Sequence, residues 1–330
     1  MSRGVIDSLN DYVNQKLIDI KTAELIREFY LAYIKEAKES STHSQSPEKL
    51  FNQLLELIKQ NILDPYQFEV FHSAIRQPFD YYQFGLDFIR LLINFSNSKI
   101  VGADQIQLIR KQLNNGENVI LFANHQTEPD PQIISLMIES IDSKLASEII
   151  YVAGHRVTQD PLAIPMSIGT NLLCIYSKKH MEFPPEKKGD KITHNQTTMK
   201  AMGELLGKGG VCIYVAPSGG RDRINNDGIV NMSPFDPQSV ELFYLMGKKA
   251  KNTHFYPLAL QTYWLMPPPI LVEKELGERR IPNYMPVKIG FGSEIDMEAI
   301  DVQHIDKSVK RKIRAESIWN QVNQIYQTFQ

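Results

Sequence analysis

Apolar positions recur at helical spacing through the first quarter of the chain. Between Thr22 and Lys38 they fall at Leu25, Ile26, Phe29, Tyr30, Tyr33 and Ile34, which predicts an amphipathic helix. The polar run from Ser40 to Ser46 ends it. Ser46-Pro47 opens the next helix as N-cap and first residue, with Phe51, Leu54, Leu55, Leu57, Ile58 and Ile62 on its apolar side. Residues 1 to about 80 thus read as an all-helical domain whose task is packing. From about 81 the pattern alternates. A helical stretch runs through Leu91-Leu92-Ile93, and a second covers Asp104 to Leu113, stopped by Asn114-Asn115-Gly116. Short apolar runs at 118–123, 148–153, 171–176, 211–216, 254–260 and 286–291 read as buried strands, with helical stretches between most of them. A last amphipathic helix spans about 303 to 328. The expected class is therefore α/β: an N-terminal helical domain (1–80), then a larger α/β domain (81–330) with a mainly parallel mixed sheet covered by helices.

Composition adds bounds. The 330 residues are 42% hydrophobic and 22% charged, enough for a sizeable core. A net charge of -2 and a pI near 6.5 point away from nucleic acid. No apolar run approaches the ~20 residues that span a bilayer. The start, Met1 to Asp7, has neither a signal region nor the look of a transit peptide, so the expected location is bacterial cytoplasm or, for a mature form, the plastid stroma. Cys174 and Cys212 both lie in apolar runs and read as small buried hydrophobes rather than a disulfide or a nucleophile.

Three strand ends carry candidate chemistry. After 118–123 come Asn124-His125-Gln126-Thr127-Glu128-Pro129-Asp130 and then a helical run. A histidine five residues before an aspartate at such a turn can form a base whose second nitrogen is held by a carboxylate. The simpler alternative makes Asp130 the N-cap of the helix, with Pro131 at its first position. After 211–216 come Pro217-Ser218-Gly219-Gly220-Arg221-Asp222-Arg223. Arg221 and Arg223, two apart, face one side of an extended segment, and two guanidinium forks match a phosphate. After 171–176 come Ser177-Lys178-Lys179-His180. There is no G-x-G-x-x-G and no G-x-x-x-x-G-K-[ST], which disfavours a nucleotide-binding module.

Together these segments resemble the plastid-type glycerol-3-phosphate acyltransferases. The resemblance rests on ordered blocks: residues 124–130, Val-Ala-Gly-His-Arg-Val at 152–157, Tyr-Ser-Lys-Lys-His-Met at 176–181, Ala-Pro-Ser-Gly-Gly-Arg-Asp-Arg at 216–223, Phe-Tyr-Pro-Leu-Ala-Leu at 255–260 and Met-Pro-Pro-Pro at 266–269. The resemblance implies transfer of an acyl group to the sn-1 hydroxyl of glycerol 3-phosphate. It implies His125 and Asp130 as the catalytic pair, and Lys179, His180, Arg221 and Arg223 as the hold on the substrate phosphate. No cofactor and no metal are expected; acyl-carrier-protein or acyl-CoA brings the acyl group as co-substrate. Carrier protein is the expected partner, with transient contact with a membrane surface. The wider lysophospholipid acyltransferase group usually has Glu-Gly where this chain has Ser218-Gly219, which sets it apart from the membrane-bound branch. A lysophospholipid acyltransferase and a catalytically silent scaffold remain the alternatives. Met166, Ile168, Leu172, Leu265 and Met266 are candidates for an acyl groove, though each reads equally as core. Two basic groups, Lys187, Lys188 and Lys191, and Lys307, Lys310, Arg311, Lys312 and Arg314, read as solvated faces before docking surfaces.

Overall fold

A computed structural model describes the chain except residues 1–3, 41–44, 183, 251, 270–276, 300–305 and 330, and the side chains of 178 and 179. Most of the expected linker at 40–46 therefore lies outside the described residues. The helices are α1 (Val5–Asn14), α2 (Ile20–Ala37), α3 (Pro47–Leu63), α4 (Tyr81–Arg90), α5 (Ala103–Asn114), α6 (Asp130–Ile138) and α7 (Ser143–Glu148). They continue with α8 (Ile164–Ile168), α9 (Lys178–Met181), α10 (Lys188–Lys208), α11 (Pro237–Lys249) and α12 (Lys307–Gln327). The strands are β1 (Phe71–His72), β2 (Lys99–Val101), β3 (Asn118–Ala123), β4 (Ile150–Gly154) and β5 (Asn171–Ile175). After them come β6 (Cys212–Val215), β7 (Arg223–Ile224), β8 (Val230–Asn231), β9 (Thr253–Gln261) and β10 (Lys288–Phe291).

Eight strands form one sheet in the order β1-β5-β4-β6-β3-β9-β10-β2, and β7 and β8 make a small separate hairpin. The five central strands, β5, β4, β6, β3 and β9, run parallel to their neighbours. β1 is antiparallel to β5 and β10 to β9, while β2 joins β10 in parallel at the far edge. Parallel strands need both faces covered, and the β3 sequence shows why it sits at the centre. Val119, Leu121 and Ala123 enter one hydrophobic core, while Ile120 and Phe122 enter the other. α1 to α7 supply the first core and α10 to α12 the second. The sheet is thus a mixed, mainly parallel layer between two layers of helices.

Phe29, Tyr33, Phe51 and Phe88 join α2, α3 and α4 in a ring cluster, with Tyr33 stacked on Phe88 at 4.2 Å between ring centres. Tyr33 also donates its hydroxyl to the Phe88 carbonyl at 2.9 Å. Ser46 caps α3 as its sequence predicts, accepting from the Lys49 amide.

Two expectations need correction. Residues 1 to 80 are not all helical: β1 pairs with β5, Phe71 opposite Leu173 and His72 opposite Leu172. A two-residue strand has no periodicity to read, and its partner lies a hundred residues away. The helix expected through Leu91-Leu92-Ile93 ends at Arg90; those three side chains are buried beyond it.

Candidate active site

Because β5, β4, β6, β3 and β9 share a direction, the loops leaving their carboxyl ends lie along one edge of the sheet. The turn after β3 brings His125 Nδ1 to 2.8 Å from Asp130 Oδ2. Asp130 is 1% exposed and fully satisfied. Its Oδ2 also accepts from the Gln126 and Thr127 amides at 2.8 and 3.2 Å, and its Oδ1 from the Thr262 hydroxyl at 2.6 Å. With Nδ1 engaged, Nε2 is the ring nitrogen that has no hydrogen bond among the described residues, on a side chain 30% exposed. The N-cap alternative does not describe this carboxylate. Asp130 is the first residue of α6, Pro129 holds the cap position, and the Asp130 side chain turns back to the two preceding amides.

The second loop is bound to the first. The Asp222 amide donates to the His125 carbonyl at 2.7 Å. Asp222 is fully buried. Its carboxylate accepts from Asn124 Nδ2 at 3.0 Å, Gln126 Nε2 at 3.2 Å and the Ser233 amide at 2.8 Å. Burial pushes its pKa up, and those donors hold it down only in part. Burial alternates along this segment: Asp222 is buried, and Arg221 and Arg223 on either side of it are half-buried. Gly219 takes φ +66 in this loop, a conformation glycine adopts without strain. Arg221 Nη2 meets Glu278 Oε2 at 2.7 Å. Arg223 is half-buried, and its pKa is lowered by that burial and by the Arg221 charge beside it.

Asn124 and Gln126 fasten the same turn to the end of β9. Asn124 exchanges hydrogen bonds with the Leu260 backbone at 2.8 and 2.9 Å, and Gln126 Oε1 accepts from the Thr262 and Tyr263 amides. Tyr214 donates its hydroxyl to the Asn124 carbonyl. These residues received no role from the sequence. The signal was available: polar residues at the end of a strand buried on both faces must be hydrogen-bonded.

A segment after β9 closes the site from the side. Arg280, 6% exposed, forks onto Glu128 at 2.9 Å through both Nε and Nη2 and reaches Asp160 at 3.1 Å. Its Nη1 donates to the Glu278 carbonyl at 2.9 Å. Burial works against its charge, but the two carboxylates prevail and raise its pKa. No periodicity marks Glu278 or Arg280; in sequence they belong to a charged run.

The third cationic loop stands farther along the edge. β4 separates β5 from β6, so at the usual strand spacing the carboxyl ends of β5 and β6 lie roughly 10 Å apart. The Lys179 side chain lies outside the described residues. The His180 carbonyl accepts from Lys191 Nζ at 2.7 Å. Nearby, His155 and Tyr176 have ring centres 4.2 Å apart, His194 lies 5.4 Å from His155, and Lys191 Nζ stands over the Tyr176 ring. His155 is pushed down to about 4 by burial, then by His194 and Lys191. Lys191 is therefore buried and not part of a solvated face. The same holds for Arg314, which pairs with Glu241 over the Tyr244 ring. Ile168, Leu172, Leu265 and Met266 are buried in the structure, and Met166 is half-buried. Burial pushes both cysteine thiols up to about 12.

A histidine backed by a buried carboxylate can act as a general base, and two arginines in a neighbouring loop can hold an anion. The acyltransferase family model matches residues 105–261, which contain both loops. The chain is 39% identical over 275 residues to the chloroplastic glycerol-3-phosphate acyltransferase of Spinacia oleracea, covering 83% of this chain and 58% of that protein. It is 36% identical over 307 residues to the chloroplastic glycerol-3-phosphate acyltransferase of Arabidopsis thaliana, covering 92% of this chain and 67% of that protein. The chain belongs to that glycerol-3-phosphate acyltransferase family. It spans roughly three fifths of the length of the first curated relatives it matches. Among solved structures it is similar to the 1-acyl-sn-glycerophosphate acyltransferase PlsC of Thermotoga maritima, with 13% identity and a TM-score of 0.41 over 93% of this chain and 97% of that one.

Proposed function

We propose that this chain transfers a fatty acyl group from an acyl-carrier-protein or acyl-CoA thioester to the sn-1 hydroxyl of glycerol 3-phosphate. The observation that carries this reading is the attachment of the His125–Asp130 turn to the Arg221–Arg223 loop through the Asp222–His125 backbone bond. Base and anion grip are held at a fixed spacing. A phosphate on the arginines presents a hydroxyl of the same small molecule to His125 Nε2.

An alcohol is a poor nucleophile at neutral pH, so its proton must leave during attack. His125 Nε2 takes that proton as the hydroxyl oxygen bonds to the thioester carbonyl carbon. Asp130 keeps the proton on Nδ1 and stabilises the imidazolium. The tetrahedral intermediate then collapses, the C–S bond breaks, and the imidazolium returns its proton to the departing thiolate. The products are 1-acyl-glycerol 3-phosphate and free thiol. No acyl-enzyme is required, in keeping with two cysteines that stay protonated in the core. Lys179 and His180 complete the phosphate grip in this reading, from the neighbouring strand end. The helices before residue 80 pack and position, and carrier protein docks from the exposed side.

The relatives are named for the chloroplast, and among the described residues no helix is long and apolar enough to cross a membrane. We place the activity in plastid stroma or bacterial cytoplasm. Purified protein, radiolabelled glycerol 3-phosphate and a panel of acyl-carrier-protein and acyl-CoA donors test the reading directly. Labelled 1-acyl-glycerol 3-phosphate is expected. Acylation of lysophosphatidic acid instead, with glycerol 3-phosphate untouched, overturns it.

A further inference from the structure

Arg221 already holds an anion. Glu278 meets it at 2.7 Å, with side chains only 19% and 11% exposed. Arg223 stands close enough for the two guanidinium charges to oppose each other, and Glu278 acts electrostatically on both. Among the described residues the two partly desolvated cations share the Glu278 carboxylate, with Asp222 acting on Arg223 as well. Without that carboxylate the pair would be costlier still, since an uncompensated buried charge is strongly destabilising.

The attachment of Glu278 suits it to let go. Its carbonyl is fixed by Arg280, which is itself forked onto Glu128 and Asp160. The Gly277 amide also donates to Asp160 at 3.3 Å, and Gly277 has φ +89. The backbone around Glu278 is therefore pinned, while among the described residues its carboxylate is held by Arg221 alone. Rotation of the side chain about its own torsions would release Arg221 and leave the pinned backbone of Gly277 and Glu278 in place. A phosphate offers two charges and three acceptor oxygens to two forks, against one charge and two oxygens from the carboxylate.

Resting on the reading of Arg221 and Arg223 as a phosphate grip, we propose that Glu278 is the resident counter-anion of this pocket. Phosphate displaces it from Arg221, and Glu278 thereby tunes the affinity of the pocket for its anion. Glu278 occupies the pocket when the acceptor is absent, and every acceptor must compete with it. A site occupied nine-tenths of the time by its own carboxylate binds about tenfold more weakly than the empty site would.

The test uses the full chain, calorimetric titration with inorganic phosphate, and steady-state kinetics with glycerol 3-phosphate. Glu278→Gln keeps the shape of the side chain and removes the charge. It is expected to bind inorganic phosphate about tenfold more tightly than the parent and to lower KM for glycerol 3-phosphate by a similar factor. Acetate, a monoanion, should gain by a similar factor, because removing a resident competitor raises the affinity of every anion alike. Glu278→Asp withdraws the carboxylate by one methylene and should fall between. If Glu278→Gln does not fold, Glu278→Asp decides the matter alone, with tighter phosphate binding supporting displacement. Unchanged or weaker phosphate binding in the folded variants overturns the proposal, because Glu278 would then orient Arg221 rather than compete for it. The assigned reaction can fail separately. A parent protein that binds phosphate but does not acylate glycerol 3-phosphate refutes the function, while the titration still decides the role of Glu278.

Discussion

His125 carries the proton in the proposed reaction, and its side chain is exposed enough for truncation to spare the fold. His125→Ala should remove nearly all acyl transfer while the unfolding midpoint stays near the parent value. A folded variant within tenfold of parent activity would falsify the base assignment. Asp130 is different, because it serves chemistry and structure together. Asp130→Asn puts an amide where the imidazolium needs a charge, and activity should collapse. Asp130→Ala also strands the Gln126 and Thr127 amides and the Thr262 hydroxyl, so about 2 kcal/mol or more of stability should go with it. Kinetics beside denaturant unfolding separate the two losses. Arg221→Ala and Arg223→Ala should raise KM for glycerol 3-phosphate roughly tenfold to a hundredfold, from about 1.5–3 kcal/mol per charge-assisted bond, and leave the donor KM nearly unchanged. Arg221→Lys should recover only part, having the charge without the fork. A raised donor KM with normal acceptor KM would turn these residues toward the thioester side.

Among elements, legibility follows length and burial. β3 and β9 were readable because a central parallel strand is apolar on both faces, and their runs stand out between polar turns. β1, β2, β7 and β8 have two or three residues each, too few to show a period, and β1 and β2 exist only through partners far along the chain. The alternation of Arg221, Asp222 and Arg223 could be read as two outward cations, yet the inward Asp222 is equally informative and received no role. Glu278 and Arg280 were illegible, since their ion pairs form across 57 and 152 residues of sequence. Lys191 misled by composition: in a lysine-rich run, it is buried under the loop that precedes α10. The ends of β4 and β5, where it lies, carry a consequence for stability. His155 is neutral in the fold down to about pH 4, whereas an ordinary histidine takes its proton near 6.5. The unfolded chain thus binds a proton that the folded chain refuses. Stability from this group is complete above pH 6.5 and declines as pH falls toward 4. With allowance for partial exposure, the loss between pH 7 and pH 5 should be about 1 kcal/mol. His155→Phe keeps the ring contact with Tyr176 and removes the titration, so its unfolding free energy should fall less over that interval. Parallel declines in the two proteins would show that other groups account for the acid sensitivity.

At the scale of the whole molecule, the segment from Gly277 to Met285 ties the helical layer to the catalytic edge. Arg279 meets Glu28 of α2 at 2.7 Å, and the Tyr284 amide donates to Glu36 of the same helix at 3.0 Å. Asn283 bonds the Leu265 and Trp264 carbonyls beyond β9. Arg280 reaches inward to Glu128, two residues after Gln126, and to Asp160 before α8. The cost of cutting these ties should differ by site. Arg279 and Glu28 are each about half exposed, so Arg279→Ala should change stability by no more than ~1 kcal/mol. Arg280→Ala leaves two carboxylates without their cation in a site from which water is largely excluded, and about 3–5 kcal/mol should be lost. Urea unfolding of both variants measures the contrast. Activity should follow it: Arg280→Ala should lower kcat by letting the Glu128 turn drift, and Arg280→Lys, with one charge for two carboxylates and no fork, should rescue little. Equal, small effects from the two alanine variants would mean that the strap is held by its backbone bonds alone, and that the buried triad neither stiffens the catalytic turn nor fixes Glu278 beside Arg221.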